Sequence, residues 1–412
     1  MNRFLLCIAM TVLAARLSAG TIHVPADQPT IQAAINVAAN GDIVLVAPGT
    51  YQENIDFSGK AIKVTSSNGP AVTIIDGGKV APVATFISGE SQLSVLSRFT
   101  IQNGTATFSS SYDGGGIYIS NSSPTISGNI IQNNTACNGG GGVAVEFSSA
   151  VLRGNVIRNN SQAGCSGGTG GGGINVGGAG SVQLIGNTIE NNSWGSGGGG
   201  ISLFAAGTPT LMNNIIRGNS APGSQGGGIA IANDADALIL QNVFYSNNAA
   251  QGGAIYFLVP SGYRGPYLVN NTFAANSASQ GAAVYADGFD SQVLFYNNLL
   301  VGPTAANAVY CDGTYSQTPP TFYNNDAYSP IGSGLQGTCA SQAATNGNIS
   351  VNPRFVNAGG NNFRLQSISP AVDAGLNSAP SLPAKDLVGK PRIVDQDHDG
   401  NPVVDMGAYE LQ

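Results

Sequence analysis

Charge is what this chain has least of. Only 9% of its 412 residues are Asp, Glu, Lys or Arg, and no lysine stands between Val80 and Ala384. The 22 acidic residues outnumber the 15 basic ones, for a net charge of −7. No basic cluster offsets that balance, which argues against nucleic acid and anionic membrane surfaces as partners. Histidine occurs twice, as His23 and His398, one near each end, which excludes a Ser/His/Asp relay. The cysteines are spaced too widely for a zinc ribbon. Beyond the N-terminus no run is apolar for long enough to cross a membrane as a helix. Disorder is excluded as well, since 42% of the residues are hydrophobic.

The one long apolar run is at the start. Arg3 precedes Phe4 to Ala15, and the small residues Ser18, Ala19 and Gly20 follow. This layout predicts a secretory signal peptide over residues 1–19, cleaved after Ala19 or Gly20, and a mature protein outside the cytoplasm with no transmembrane segment. Cys7 lies within the run and not at the cleavage site. The four cysteines that remain are then expected to form two disulfides. Cys137 and Cys165 stand one repeat apart, each just before a glycine run, so the expected pairs are Cys137–Cys165 and Cys311–Cys339.

Glycine, with 58 residues, does much of the work that charge does elsewhere, and it recurs in phase with asparagine. The chain reads NIIQNN from Asn129, NVIRNN from Asn155, NTIENN from Asn187 and NIIRGN from Asn214. It continues as NVFYSN from Asn242, NTFAAN from Asn271 and NLLVGP from Asn298. In step with it run Gly114–Ile117, Gly141–Val143 and further GGGI tetrads ending at Ile174, Ile201 and Ile229, weakening to GGAI at Gly252–Ile255 and GAAV at Gly281–Val284. Such self-similarity marks a solenoid. Helical repeats are excluded because these glycines and asparagines would cripple every helix. Propeller blades need about 40 residues or more.

Two places after each anchor comes a large apolar residue: Ile131, Ile157, Ile189, Ile216, Phe244, Phe273 and Leu300. Period two puts the anchor asparagine on the same side as this stack. Five places after the anchor stands a second column, Asn134, Asn160, Asn192, Asn219, Asn247 and Asn276, expected at corners where asparagine tolerates left-handed backbone and bonds its equivalent one coil away. Glycine is expected to turn the other tight corner. The fold expected is all-β: a single-stranded right-handed parallel β-helix solenoid, with coils about 4.8 Å apart. Thr30 is placed to N-cap a short helix whose Ile31, Ala34, Ile35 and Ala38 share a face and cover the first coil. The solenoid should occupy residues 20–350 and a C-terminal module residues 351–412.

Several stretches carry a family likeness. Thr30 to Ile55, TIQAAINVAANGDIVLVAPGTYQENI, resembles the opening of pectin-lyase-like right-handed β-helix proteins. GGAI, FYSN (Phe244 to Asn247) and FAAN (Phe273 to Asn276) are similar to repeats of polymorphic outer-membrane proteins. NISVNPRFVN (from Asn348), SPAVDAG (from Ser369), DLVGKPR (from Asp386) and DMGAYE (from Asp405) resemble the C-terminal module of choice-of-anchor Q β-helix proteins. The likeness implies a secreted, cell-envelope or outer-membrane-associated protein whose partner is an extracellular polysaccharide or a surface protein. GTYQE (Gly49 to Glu53) echoes pectin methylesterases, but their catalytic Gln-Asp and Asp-Phe-Ile-Phe-Gly segments are absent.

Three groups of residues could carry chemistry. Asp395, Asp397, Asp399 and Asn401 place oxygen ligands at alternate positions around Gly400, as in the first half of an EF-hand loop. Met406 stands where the bidentate glutamate belongs, so Asp405 is expected to substitute, and a calcium ion there would brace the module. Asp373, Asp386 and Arg392 are expected in internal salt bridges. On the outward face, Arg158, Glu190 and Arg217 occupy successive coils beside Tyr245, and should stack as a cation–anion–cation ladder. It would serve as a surface ion-pair ladder, a sugar-acid site or the base of a lyase, with Tyr245 and Trp194 as stacking rings. The remaining coil acids, Asp113, Glu146, Asp234, Asp236, Asp287 and Asp290, look scattered. Two functions therefore stand open: a non-catalytic glycan- or surface-binding solenoid, and a polysaccharide lyase or hydrolase. The first predicts no converging carboxylates, and the second a groove with two or more acids beside Arg158, Arg217 or Arg264.

Overall fold

The computed structural model describes residues 19–412 apart from 110–112, 166, 261, 290, 291, 305, 397 and 399. The expected signal peptide, except Ala19, therefore lies outside the described residues. Each full coil lays down three short strands. Sheet 1 has twelve, from Thr21–Val24 to Thr321–Tyr323. Sheets 2 and 3 have eleven each, from Gly49–Gln52 to Asp326–Tyr328 and from Ile55–Asp56 to Leu335–Gly337. No helix among the described residues is long and apolar enough to cross a membrane.

Equivalent residues of successive coils are direct register partners. Ile131, Ile157, Ile189, Ile216, Phe244, Phe273 and Leu300 form one continuous column in sheet 2. All are fully buried, each burial contributing about 1.5–3 kcal/mol. The anchor asparagines run beside this column and extend past the repeats visible in the sequence, through Asn325 to Asn348. Between the two ends of the ladder, each Oδ1 accepts the backbone amide of the preceding asparagine, while Nδ2 donates to a carbonyl of the preceding coil and to the next Oδ1. Asn155 shows the pattern: it accepts from Asn129 N at 3.0 Å and donates to Ile126 O at 2.9 Å and to Asn187 Oδ1 at 3.0 Å. The second column, Asn134 to Asn276, repeats it.

One expectation about these corners is corrected. The ladder asparagines do not themselves adopt left-handed backbone. The residue before each does: Asn133, Asn159, Asn191, Ser246 and Ala275 have φ between 54° and 56°, and Gly218 has 62°. The bend and the amide ladder are thus divided between neighbours, because a buried asparagine aimed along the axis needs its side chain inside while the bend turns the preceding one out. At the glycine corner the need is for close approach. A Cβ on Gly171 would lie 2.0 Å from Ile174 O, and one on Gly198 would lie 1.8 Å from Ile201 O.

The helix Ile31–Val37 caps the first coil as expected, with Thr30 Oγ1 accepting the Ala33 amide and Ile31, Ala34 and Ile35 buried. Glu53 accepts the amides of Ile31 and Gln32 at its N-terminus, and Lys60 Nζ donates to the carbonyls of Ile35, Asn36 and Ala38 at its C-terminus. Each charge complements the end of the helix it meets. The disulfides Cys137–Cys165 and Cys311–Cys339 form as expected, with Cα separations of 5.4 and 5.7 Å.

Residues 351–412 fold back over the outer face of sheet 2. Their strands Phe355–Asn357 and Asn362–Leu365 pair antiparallel. Phe363 and Ala408 pack on Val243, Tyr245 and Ala274, and Met406 and Leu365 pack on Leu299. Asn270 Nδ2 donates to the Asp405 and Gly407 carbonyls. Arg392, expected in an internal salt bridge, forms one with Glu410 at 3.2 Å, with both side chains 1% exposed, and its Nε donates to Gln241 on the solenoid. Asp386 spends its oxygens on backbone amides of Val388, Lys390 and Glu410.

Candidate functional site

The outward ladder on sheet 2 forms in the expected register, but only one of its two ion pairs closes. Gln132, Arg158, Glu190, Arg217 and Tyr245 are successive partners. Arg217 pairs with Glu190 and donates to Tyr245 Oη at 2.7 Å. Arg158 turns the other way and donates Nε to Gln132 Oε1 at 3.0 Å. The half-exposed Arg217 pair is a surface bridge of modest worth. Neither ring expected to stack on sugar is available. Tyr245 is buried under the C-terminal segment with Phe363 5.2 Å away, and Trp194 is fully buried with Nε1 donating to Gly168 O. Asp236 is tied to Arg264 and to the Gly265 amide. Asp287 accepts Tyr256 Oη, and Asp290 lies outside the described residues.

The acids that do converge are on sheet 3. Residues one place into each strand point outward there, in the order Tyr118, Ala144, Asn175, Ser202, Ala230, Tyr256. Of the four consecutive small side chains between the two tyrosines, Asn175, Ser202 and Ala230 line a trough of about 420 Å³. Its floor rises beyond Tyr256 into a stack with Tyr285 and Tyr310, centroids 5.9 and 5.3 Å apart. Phe147 and Phe204 line the trough and remain 62% and 53% exposed. Phe147 is held at φ 47° with its ring over Gly178, where a Cβ would come within 2.6 Å of it. Large rings left in water beside a concavity mark a binding surface.

At the N-terminal end of the trough Glu146 is hydrogen-bonded to Asp113 and accepts Tyr118 Oη at 2.9 Å. Burial, and then the contact with Asp113, push the Glu146 carboxyl up to about 7. Glu146 therefore keeps its proton to near neutral pH and is a candidate proton donor there. Because Glu146 is raised above its unfolded value of 4.5, its contribution to stability is complete below that pH and is lost as pH rises through about 7. Denaturant midpoints at pH 4.5 and 8 should thus fall with pH in the wild type, and fall less in Glu146→Gln.

This pairing escaped the sequence because Asp113 precedes the sheet 3 strand of one coil whereas Glu146 ends the sheet 3 strand of the next. They share no column. The available signal was the run Ala144, Asn175, Ser202, Ala230, where bulky outward residues are missing on four coils.

The expected calcium loop is visible only in part, since Asp397 and Asp399 lie outside the described residues. Asp395 Oδ2 accepts the Gly400 amide at 3.0 Å, and Asn401 is exposed beside it. Asp405, expected to complete the ligand set, is fully buried and accepts the amides of Asp373 and Leu411 at 2.8 and 2.7 Å. It braces the C-terminal segment, because the chain from Val404 to Ala408 is one of the parts that run against the solenoid. Among the described residues no group of three or more His, Cys, Asp or Glu is placed to hold a metal.

A family model described as "Right handed beta helix region" matches residues 165–300, and the fold is a right-handed parallel β-helix. No curated protein matches the chain. The crystal structure of pectate lyase Pel9A aligns with a TM-score of 0.50 at 16% identity, over 93% of this chain and 91% of that one. XylC in its complex with xylose aligns with a TM-score of 0.42 at 11% identity, over 74% and 73% of the two chains. The first likeness shows the fold alone.

Proposed function

We propose that this protein is an extracellular glycan-binding solenoid that lays a stretch of polysaccharide along the trough of sheet 3. The observation that carries this reading is the concavity of small polar and apolar side chains crossed by two solvent-exposed phenylalanine rings. Sugar rings present apolar faces to aromatics and hydroxyls to groups such as Asn175, Ser202 and Gln225, all of which line the trough. The two disulfides support a location outside the cytoplasm, and the likeness to a pectate lyase supports a carbohydrate partner.

The test is retention on a panel of immobilised acidic and neutral polysaccharides. At least one should retain the protein, and the double variant Phe147→Ala/Phe204→Ala should weaken retention tenfold or more, the two rings lying at the centre of the contact. Absence of retention across the panel would overturn the proposal.

The Asp113–Glu146 pair favours a second reading, glycoside hydrolysis, with Glu146 as proton donor and Asp113 as carboxylate. Their direct contact is shorter than the roughly 5–9.5 Å between paired carboxyls of glycosidases, so bound sugar would have to part them. New reducing ends that vanish in Glu146→Gln, with retention intact, would establish it. Unsaturated ends would point to elimination instead.

A further inference from the structure

We infer that the trough of sheet 3 selects an uncharged glycan and rejects polyuronates, an inference that rests on the glycan-binding reading above. Of the residues lining the trough none is Lys, Arg or His, while Asp113 and Glu146 close one end. The same holds along the whole sheet: none of its eleven strands contains Lys or Arg. Asp287 and Asp312, which accept the hydroxyls of Tyr256 and Tyr285, extend the negative character past the other end. Among the described residues the exposed cations lie elsewhere, with Lys63, Arg98 and Arg153 together on the outer face of sheet 1.

A uronate polymer laid in the trough would bring one carboxylate per sugar against this face with no cation to meet it. Like charges juxtaposed in a contact cost enough to exclude a ligand. From the strand of Glu146 to that of Tyr256 there are four coil steps, roughly 19 Å, so several sugars would meet the same field. An uncharged chain meets no such penalty. Its hydroxyls find Asn138, Thr169, Asn175, Ser196, Ser202 and Gln225, and its ring faces find Phe147 and Phe204.

Affinity electrophoresis through glucomannan, arabinoxylan and polygalacturonate, with calcium and with chelator, tests the inference. The variant Phe147→Ala/Phe204→Ala reports which retention belongs to the trough. The expected result is retention by a neutral polymer that drops tenfold or more in that variant, while any retention by polygalacturonate is unchanged by it. Ser202→Lys, which places a cation at mid-trough, should confer polygalacturonate retention. The inference fails, with the binding reading intact, if wild-type polygalacturonate retention drops in the phenylalanine variant under either calcium condition. If no polymer is retained in a manner that depends on the two rings, the binding reading fails and takes the inference with it.

Discussion

Asn214→Ala should lower the stability of the solenoid by about 3–5 kcal/mol, whereas Gln183→Ala on an exposed strand position should change it by less than about 0.5 kcal/mol. Asn214 is fully buried, and its amide serves four partners. It accepts Asn187 N at 2.9 Å and Asn187 Nδ2 at 3.1 Å, and donates to Leu184 O at 2.8 Å and Asn242 Oδ1 at 2.9 Å. Alanine fills little of that space and leaves these groups in a dry interior, at about 1–3 kcal/mol for each one unsatisfied. Asn214→Asp should be worse, since it turns a donor into an acceptor facing two acceptors and buries a charge. Urea unfolding followed by circular dichroism reads all three variants. Equal midpoints for Asn214→Ala and Gln183→Ala would mean that the ladder adds nothing beyond shape.

Arg392→Met should release the C-terminal segment at a cost of about 3–5 kcal/mol while leaving the coils folded. The guanidinium donates to Glu410, Gln241 and Gly407, all from a buried position. Burial opposes both charges of the pair: it lowers Arg392 and raises Glu410 to about 7, more than their mutual attraction offsets. Removing one partner therefore strands the other. Glu410→Gln should restore much of the loss in the double variant. Limited proteolysis is the readout, with cleavage expected within 351–412 in Arg392→Met and little in the wild type. The same groups set a pH trend. Glu410 and Asp405, the latter raised to about 6 by burial, both lie above their unfolded values, so docking should be tightest below about pH 4 and loosen as pH rises through 6 to 7. Proteolysis that is no faster in Arg392→Met at pH 8 would show that apolar contacts alone hold the segment.

The coils were legible because each column of the sequence does one physical job repeated on every turn. Ile131, Asn134 and their successors declare an interior stack and an amide ladder before any coordinates exist, and the cap with Thr30 and Ile31 follows ordinary helix signals. The site was less legible for the same reason. A repeat directs attention to columns that recur, so Arg158, Glu190 and Arg217 drew notice, whereas the trough arises where a column loses its bulk and where two acids from different columns meet. Tyr245 and Trp194 show a second blind spot. Outward register alone does not expose a ring when another part of the chain, here Phe363 or the Gly168 loop, lies over it.

The anchor intervals range from 23 to 32 residues, yet Asn129 to Asn155 and Asn155 to Asn187 are bridged by the same 3.0 Å amide contact. All excess length in the longer coil is carried outside the ladder. Coil pitch and loop length are therefore independent variables in this architecture. Mutation can lengthen, shorten or exchange the segments that rim the trough while the spacing of its floor stays constant, so ligand preference can drift rapidly on a scaffold that does not move.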